Sequence, residues 1–264
     1  MTEIVIAVLE GILWLFRFLL GACIFSFLNV VVYRLPRGES IVRGRSHCPG
    51  CGRTLAAGEL IPLVSFLVQR RKCRGCGMGI SWRYFCVEAL GGGCFVFCGI
   101  FYGCGEWGVL SLKGIWAFAY LGILTVVALI DWDTRMIYDR FHIMILLLGV
   151  CGVRLWPEHG ILDRLIGAAA VALPMFILAL VVDGSFGGGD IKLMAVSGFL
   201  LGWRAVVCAM FLGLVTGGLY CVGMLLRREI GRKDQLAFGP FLTFGLGVSV
   251  FVGDRIAGWY LSFL

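Results

Sequence analysis

The chain has 264 residues, 60% of them hydrophobic and 15% charged, with a mean hydropathy of +0.95. A soluble domain is roughly 45–50% apolar and about 25% charged, so this composition excludes an ordinary water-soluble globule. The net charge of +7 could suggest nucleic acid, but ten of the 23 Lys and Arg lie between Arg34 and Arg83, a clustering that marks the cytoplasmic side of a membrane protein instead.

Inside a bilayer every backbone polar group must be satisfied within helices or a closed barrel. The apolar runs are long and continuous rather than alternating, which selects helices. The reading is an all-α polytopic membrane protein of about eight membrane segments, over residues 5–33, 86–104, 112–131, 140–155, 161–183, 191–202, 204–226 and 238–263. The fourth is slightly short for a span of about 20 residues and the sixth clearly so. The sixth is a half-span or runs on into the seventh through Gly202.

The first run is not preceded by a basic stretch and outlasts the apolar segment of a signal peptide, so it is expected to be retained as a membrane helix. Arg17 lies within it and is expected to snorkel or to pair with an acid such as Glu10. Residues 34–85 form a soluble insert that holds three of the six prolines. Cys48, Cys51, Cys73 and Cys76 are two CxxC pairs separated by 21 residues, each followed by glycine. Two such knuckles bring four thiolates to one tetrahedral ion, the preference of Zn²⁺. A reducing cytoplasm disfavours disulfides, and a metal stabilises an insert too small to stand on apolar burial. Four thiolates leave no open coordination position, so this zinc is structural. The other eight cysteines read as small buried hydrophobes. Gly91–Gly93 and Gly217–Gly218 read as sites of close helix packing.

The third segment ends in Asp131-Trp132-Asp133, and the fifth is followed by Gly187-Gly188-Gly189-Asp190-Ile191-Lys192. An acid within a span is costly and is a functional candidate by default. Asp131 and Asp190 are the candidate catalytic pair. Gly187, Gly188, Gly189, Asp133 and Lys192 support them, with the glycines able to offer a backbone edge to an extended substrate. Asp139 reads as the cap of the fourth segment and Asp183 as an interfacial charge. Two close carboxylates do not both ionise: one holds a proton while the other activates water, and the protonated partner polarises the scissile carbonyl. His47, His142 and His159 have no Ser or Cys partner that would make a triad.

Charge orients the chain. Seventeen Lys and Arg fall on the side of residues 34–85, 131–140, 183–192 and 227–237, against five on the other. Both termini are then outside, and both aspartate motifs sit at the cytoplasmic face.

Together these residues resemble the type IV prepilin peptidase family, the leader peptidase/N-methyltransferases. The resemblance is carried in order by Ser26-Phe27-Leu28-Asn29, Tyr33-Arg34-Leu35-Pro36, Cys48-Pro49-Gly50-Cys51, Leu60-Ile61-Pro62-Leu63, Lys72-Cys73-Arg74-Gly75-Cys76, Ser81-Trp82-Arg83-Tyr84, the two aspartate motifs, and Phe238-Gly239-Pro240-Phe241. It implies a GxGD aspartyl protease of the bacterial cytoplasmic (inner) membrane, acting through Asp131 and Asp190. The implied substrates are prepilins or pseudopilins, cut after the glycine that precedes their hydrophobic segment. It further implies S-adenosylmethionine-dependent methylation of the new amino terminus, associated with the N-terminal region, where Glu88 is an acid close to the insert. Tyr138 and Cys23 depart from the family's usual residues.

The expected organisation is a first membrane helix over 1–33, a zinc-binding insert over 34–85 associated with methylation, and a membrane peptidase domain over 86–264. Another GxGD protease lacks a reason for the cysteine insert. A proton-coupled transporter, or a zinc-loop membrane scaffold without peptidase activity, is the alternative from a different class.

Overall fold

The computed structural model describes residues 2–105, 109–182, 184–227 and 236–263. Asp183, and Arg228, Arg232 and Lys233 of the basic stretch 227–237, lie outside the described residues. The described residues form helices with three isolated bridges and no strand: α1 (Thr2–Arg34), α2 (Val64–Val68), α3 (Trp82–Tyr102), α4 (Leu112–Thr134), α5 (Asp139–Leu155), α6 (Ile161–Ala170), α7 (Ala172–Val181), α8 (Gly188–Leu201), α9 (Trp203–Leu226) and α10 (Gly239–Leu261). Among the described residues, six stretches are long and apolar enough to cross a membrane, with α6 and α7 together making one of them. The remaining two expected segments are α5, 17 residues, and α8, 14 residues. At 1.5 Å per residue α8 reaches about 21 Å, short of a hydrocarbon core of about 30 Å. Gly202, at φ +85°, separates α8 from α9, so the sixth segment is a separate short helix. That conformation suits glycine and strains other residues.

Two compact units divide the chain, Met1–Phe118 and Ala119–Leu264, with the boundary inside α4. In the first, α1 packs on α3 through glycine. A Cβ on Gly21 would strike the Gly91 carbonyl, one on Gly91 the Phe25 ring, and one on Gly92 the Phe18 ring. Gly91 and Gly92 are therefore the close-packing positions, whereas Gly93 faces open space. Phe118 seals this seam, its ring 5.5 Å from Phe25 and 5.0 Å from Phe95. Arg17 is buried and stacks over the Trp14 ring at 4.2 Å. Arg34, at the end of α1, turns its guanidinium onto the carbonyls of Ser40, Arg43, Gly44 and Arg45 at 3.0–3.2 Å and so shapes the start of the insert.

In the second unit α8 packs on α5 and α6, and α10 on α9. Small residues again let backbones meet: Gly198 touches the Gly167 carbonyl and Gly245 the Ala209 carbonyl. Packing and polar contacts, rather than water exclusion, must hold helices together in lipid. Arg164 supplies such contacts. This fully buried side chain on α6 donates to the carbonyls of His159, Phe199, Leu200, Gly152 and Trp156 at 3.0–3.3 Å. The Gly152 carbonyl of α5 also takes the Trp156 N–H, whereas the last-turn carbonyls Phe199 and Leu200 of α8 lie past the intrahelical ladder; one guanidinium, with five N–H groups, reaches both ends. Arg164 is thus an internal cap.

Nearby, His159 sits between Asp163, 3.2 Å from Nδ1, and Asp254, 3.3 Å from Nε2. Its hydrogen bond to Asp254 raises its proton affinity against the opposing effect of burial.

Arg164→Met would leave the helix-end carbonyls of α8 unsatisfied in an apolar surrounding. The expected loss is about 1–3 kcal/mol, seen as a lower Tm in detergent; an unchanged Tm would remove the capping role. His159 has a folded pKa above its unfolded value. Its contribution to stability is complete below about pH 6.5 and fades as pH rises through the higher folded value. Tm measured across that window should fall for the wild type and stay flatter for His159→Gln.

Candidate active site

Asp131 lies in the last turn of α4, which ends when Arg135 adopts φ +55° and its N–H closes on the Asp131 carbonyl at 2.8 Å. The Asp131 side chain is 5% exposed, and its Oδ2 accepts the Gly239 N–H at 3.0 Å. Gly239 opens α10 and is followed by Pro240, a pairing that marks a helix start because proline needs no donor there. The carboxylate therefore caps an N-terminus whose free N–H groups and dipole favour negative charge. A Cβ on Gly239 would lie 2.6 Å from Asp131 Oδ2, so only glycine lets the backbone come this close.

Asp190 stands in the first turn of α8 and is half-buried. Gly187 is the extended residue before that turn, and the Asp190 carboxylate folds back beside it: a Cβ on Gly187 would lie 3.2 Å from Asp190 Oδ2. Asp131 lies near enough for its charge to act on Asp190. The two carboxylates, 59 residues apart in the chain, thus stand at the end of α4 and the start of α8.

The supporting residues divide. Gly188 and Gly189 belong to the helical first turn of α8 rather than to an extended edge, which leaves Gly187 as the extended glycine. Gly189 is needed for room: a Cβ there would lie 3.0 Å from Ile137 Cβ. Lys192 pairs with Asp139 at 2.8 Å, and Asp133 is exposed. Asp139 is the first residue of α5 rather than its cap, which is Tyr138. With φ −79° and ψ 136°, Tyr138 holds the backbone a proline would adopt.

His142 acquires a role that a search for nucleophile partners did not find. Its buried ring donates from Nε2 to the Gly189 carbonyl at 3.1 Å and meets Asp139 at 3.3 Å through Nδ1. It ties the glycine turn that carries Asp190 to α5. Aromatic residues adjacent in sequence to the aspartate motifs and to Gly239 pack on one another: Phe186 meets Phe238 at 5.8 Å, and Tyr220 lies between Trp132 and Phe241 at 5.9 and 5.3 Å.

In the other unit the four cysteines converge. All four Sγ atoms lie within 4.8 Å of one another, and Cys48 and Cys76 are 3.8 Å apart. The two halves are built alike. Gly52 N–H returns to the Cys48 carbonyl and Gly77 N–H to that of Cys73, both at 2.9 Å, with the glycines at φ +68° and +72°. Backbone N–H groups of Cys76 and Gly75 hold the Cys73 thiol down to about 6, which favours the ligating thiolate. Four sulfurs at this spacing fit a tetrahedral ion with metal–sulfur bonds of about 2.3 Å. Glu59, accepting from Ala56 N–H at 2.9 Å and from Arg53 at 2.6 Å, fastens the first knuckle.

Residues 19–102 match the model of the bacterial peptidase A24 N-terminal domain, and residues 118–222 that of the type IV leader peptidase family. Over 252 residues the chain is 34% identical to the prepilin leader peptidase/N-methyltransferase of Bacillus subtilis (strain 168), spanning 96% of this chain and 98% of that protein. The chain belongs to the type IV leader peptidase family. A relative of the same name from Aeromonas salmonicida (strain A449) is 30% identical over 96% of both chains. One from Myxococcus xanthus (strain DK1622) is 36% identical over 82% of this chain and 64% of its own. No solved structure matches.

The family's two models divide the chain between its two chemical centres, the cysteines in one and both aspartates in the other. Metal analysis of the purified protein should find about one zinc per chain. Cys48→Ser or Cys73→Ser should lower that content severalfold and expose the insert to limited proteolysis; full metal content in both variants would show that the four thiols are not the ligands.

Proposed function

We propose that the protein cleaves the leader peptides of type IV prepilins or pilin-like secretion proteins and methylates the new amino terminus with S-adenosylmethionine. The observation that carries the peptidase reading is the buried Asp131, held by the Gly239 N–H, with Asp190 near enough to feel its charge, in a chain whose relatives bear that name.

Two carboxylates in one site share a proton and act as a unit. The ionised carboxylate takes a proton from water as that water attacks the scissile carbonyl. The protonated carboxylate donates to the carbonyl oxygen and then, as the tetrahedral species collapses, a proton reaches the leaving amine. Gly239 N–H holds the Asp131 carboxyl group in place for these transfers. The aromatic residues adjacent to the aspartate motifs suit the hydrophobic segment that follows a prepilin's cleavage site.

The charge distribution supports a multi-pass protein of the bacterial inner membrane with both termini outside and the aspartates at the cytoplasmic face. In this reading residues 34–85 are a cytoplasmic insert held by structural Zn²⁺ through Cys48, Cys51, Cys73 and Cys76. Residues 86–264 hold the peptidase. Methylation follows cleavage because only cleavage frees the amine.

The test is a purified prepilin in detergent, with the product's amino terminus read by mass spectrometry. Asp131→Asn and Asp190→Asn should each slow cleavage by about 10²–10⁴-fold or more. Gly239→Ala, which pushes the Asp131 carboxyl aside, should lower kcat by at least about 10-fold. Cleavage at the wild-type rate by both asparagine variants would instead favour a membrane scaffold or a proton-coupled transporter.

A further inference from the structure

Beside the cysteine knuckles the first unit contains a partly enclosed cavity of about 420 Å³, between the end of α1, the start of α3 and the insert. That volume lies within the range of small-molecule sites, which are apolar pockets with a few placed polar groups. Its walls include the rings of Tyr33, Phe66 and Tyr84, with the amides of Asn29 and Gln69 among them.

Charge inside the cavity is unevenly answered. The Arg34 guanidinium is spent on four loop carbonyls, and the Glu59 carboxylate faces Arg53. Glu88 is different. It is 8% exposed, and its carboxylate accepts from neutral donors, the Ser26 hydroxyl at 2.6 Å and the Leu63 N–H at 2.8 Å. The pull on Leu63 also helps hold that non-glycine residue at φ +62°, a strained backbone. A carboxylate has about four lone-pair positions, so Glu88 retains acceptor capacity toward the cavity. A buried anion among aromatic faces is a receptor for a cation.

S-adenosylmethionine carries a sulfonium cation and a flat base, and the acceptor of its methyl group is an amine. We propose that this cavity is the S-adenosylmethionine site of the protein and that Glu88 is its cation-facing group. The proposal rests on the methyltransferase reading above. It places the second activity in the unit that lacks both aspartates. The aromatic rings stack the base and face the sulfonium. In the transfer the amine lone pair forms the N–CH₃ bond as the C–S bond breaks, the bonding electrons return to sulfur as a neutral thioether, and a proton leaves nitrogen for the Glu88 carboxylate.

The test is equilibrium dialysis of the full-length protein in detergent against radiolabelled S-adenosylmethionine and, separately, S-adenosylhomocysteine, which lacks the sulfonium charge. Glu88→Gln keeps the shape and removes the charge. It should weaken S-adenosylmethionine binding by about 10- to 100-fold, the loss of one charge-assisted contact, and weaken S-adenosylhomocysteine much less. Tyr84→Leu should weaken both ligands, and Asp190→Asn neither. Metal content reports whether each variant is folded. Equal losses of the two ligands in Glu88→Gln, or no loss in either cavity variant while wild type binds, would overturn the assignment and leave the methyltransferase reading standing. Wild-type protein that binds neither ligand would overturn both. If Glu88→Gln loses its metal, the Tyr84→Leu result decides alone: unaffected binding rejects the cavity.

Discussion

The bond from Gly239 N–H to Asp131 Oδ2 is the contact around which the second unit is arranged. It is made between residues 108 positions apart, and it solves two problems at once. A carboxylate that is nearly sealed from solvent needs a donor, because burying an unanswered charge costs several kcal/mol. The first turn of α10 needs an acceptor, because its N–H groups have no partner within the helix. Neither requirement could be met if residue 239 carried a side chain, since a Cβ would occupy the place of the carboxylate. The end of α4 and the start of α10 are thereby fixed, and Asp190, in the first turn of α8, lies near enough to feel the charge so held.

The same economy of backbone ends recurs at the far end of α8. There Arg164 answers the carbonyls that close α5 and α8, while His142 fastens the glycine turn that opens α8. α8 is too short to span, and Gly202 breaks it from α9. A half-length helix in an apolar medium must find polar partners at both ends, and Arg164 and His142 are those partners. The position of Asp190 is therefore set by two side chains that take no part in the proposed chemistry.

Much of this was legible in the sequence, for physical reasons. Hydrophobic length gave the helices, because a bilayer demands about 20 apolar residues per span, and the two short ones were recognisable as short. The four cysteines were legible because metal ligation needs a fixed spacing within each knuckle. Asp131 and Asp190 stood out because acids are rare in such surroundings. What stayed hidden were contacts whose partners are backbone atoms. Arg164 looked like one of the five cations of the sparsely charged side, His142 like a histidine without a nucleophile, and Gly239 like part of a motif with no assigned task. Backbone carbonyls and N–H groups are present at nearly every position, so no residue pattern announces which of them a side chain will find. The Gly239-Pro240 pair was the one available signal, a helix start placed just after the basic loop. Likewise the glycine run before Asp190 suggested an extended edge, whereas Gly188 and Gly189 are wound into the helix and serve close approach instead.

The central claim is that Asp131 and Asp190 act as one catalytic unit. The most direct measurement is a double-mutant cycle on prepilin cleavage, comparing Asp131→Asn, Asp190→Asn and the double variant under single-turnover conditions. Groups that act together are strongly non-additive, so the account expects the double variant to be no slower than either single one. A double variant slower by the product of the two single effects would contradict it, since the aspartates would then contribute independently.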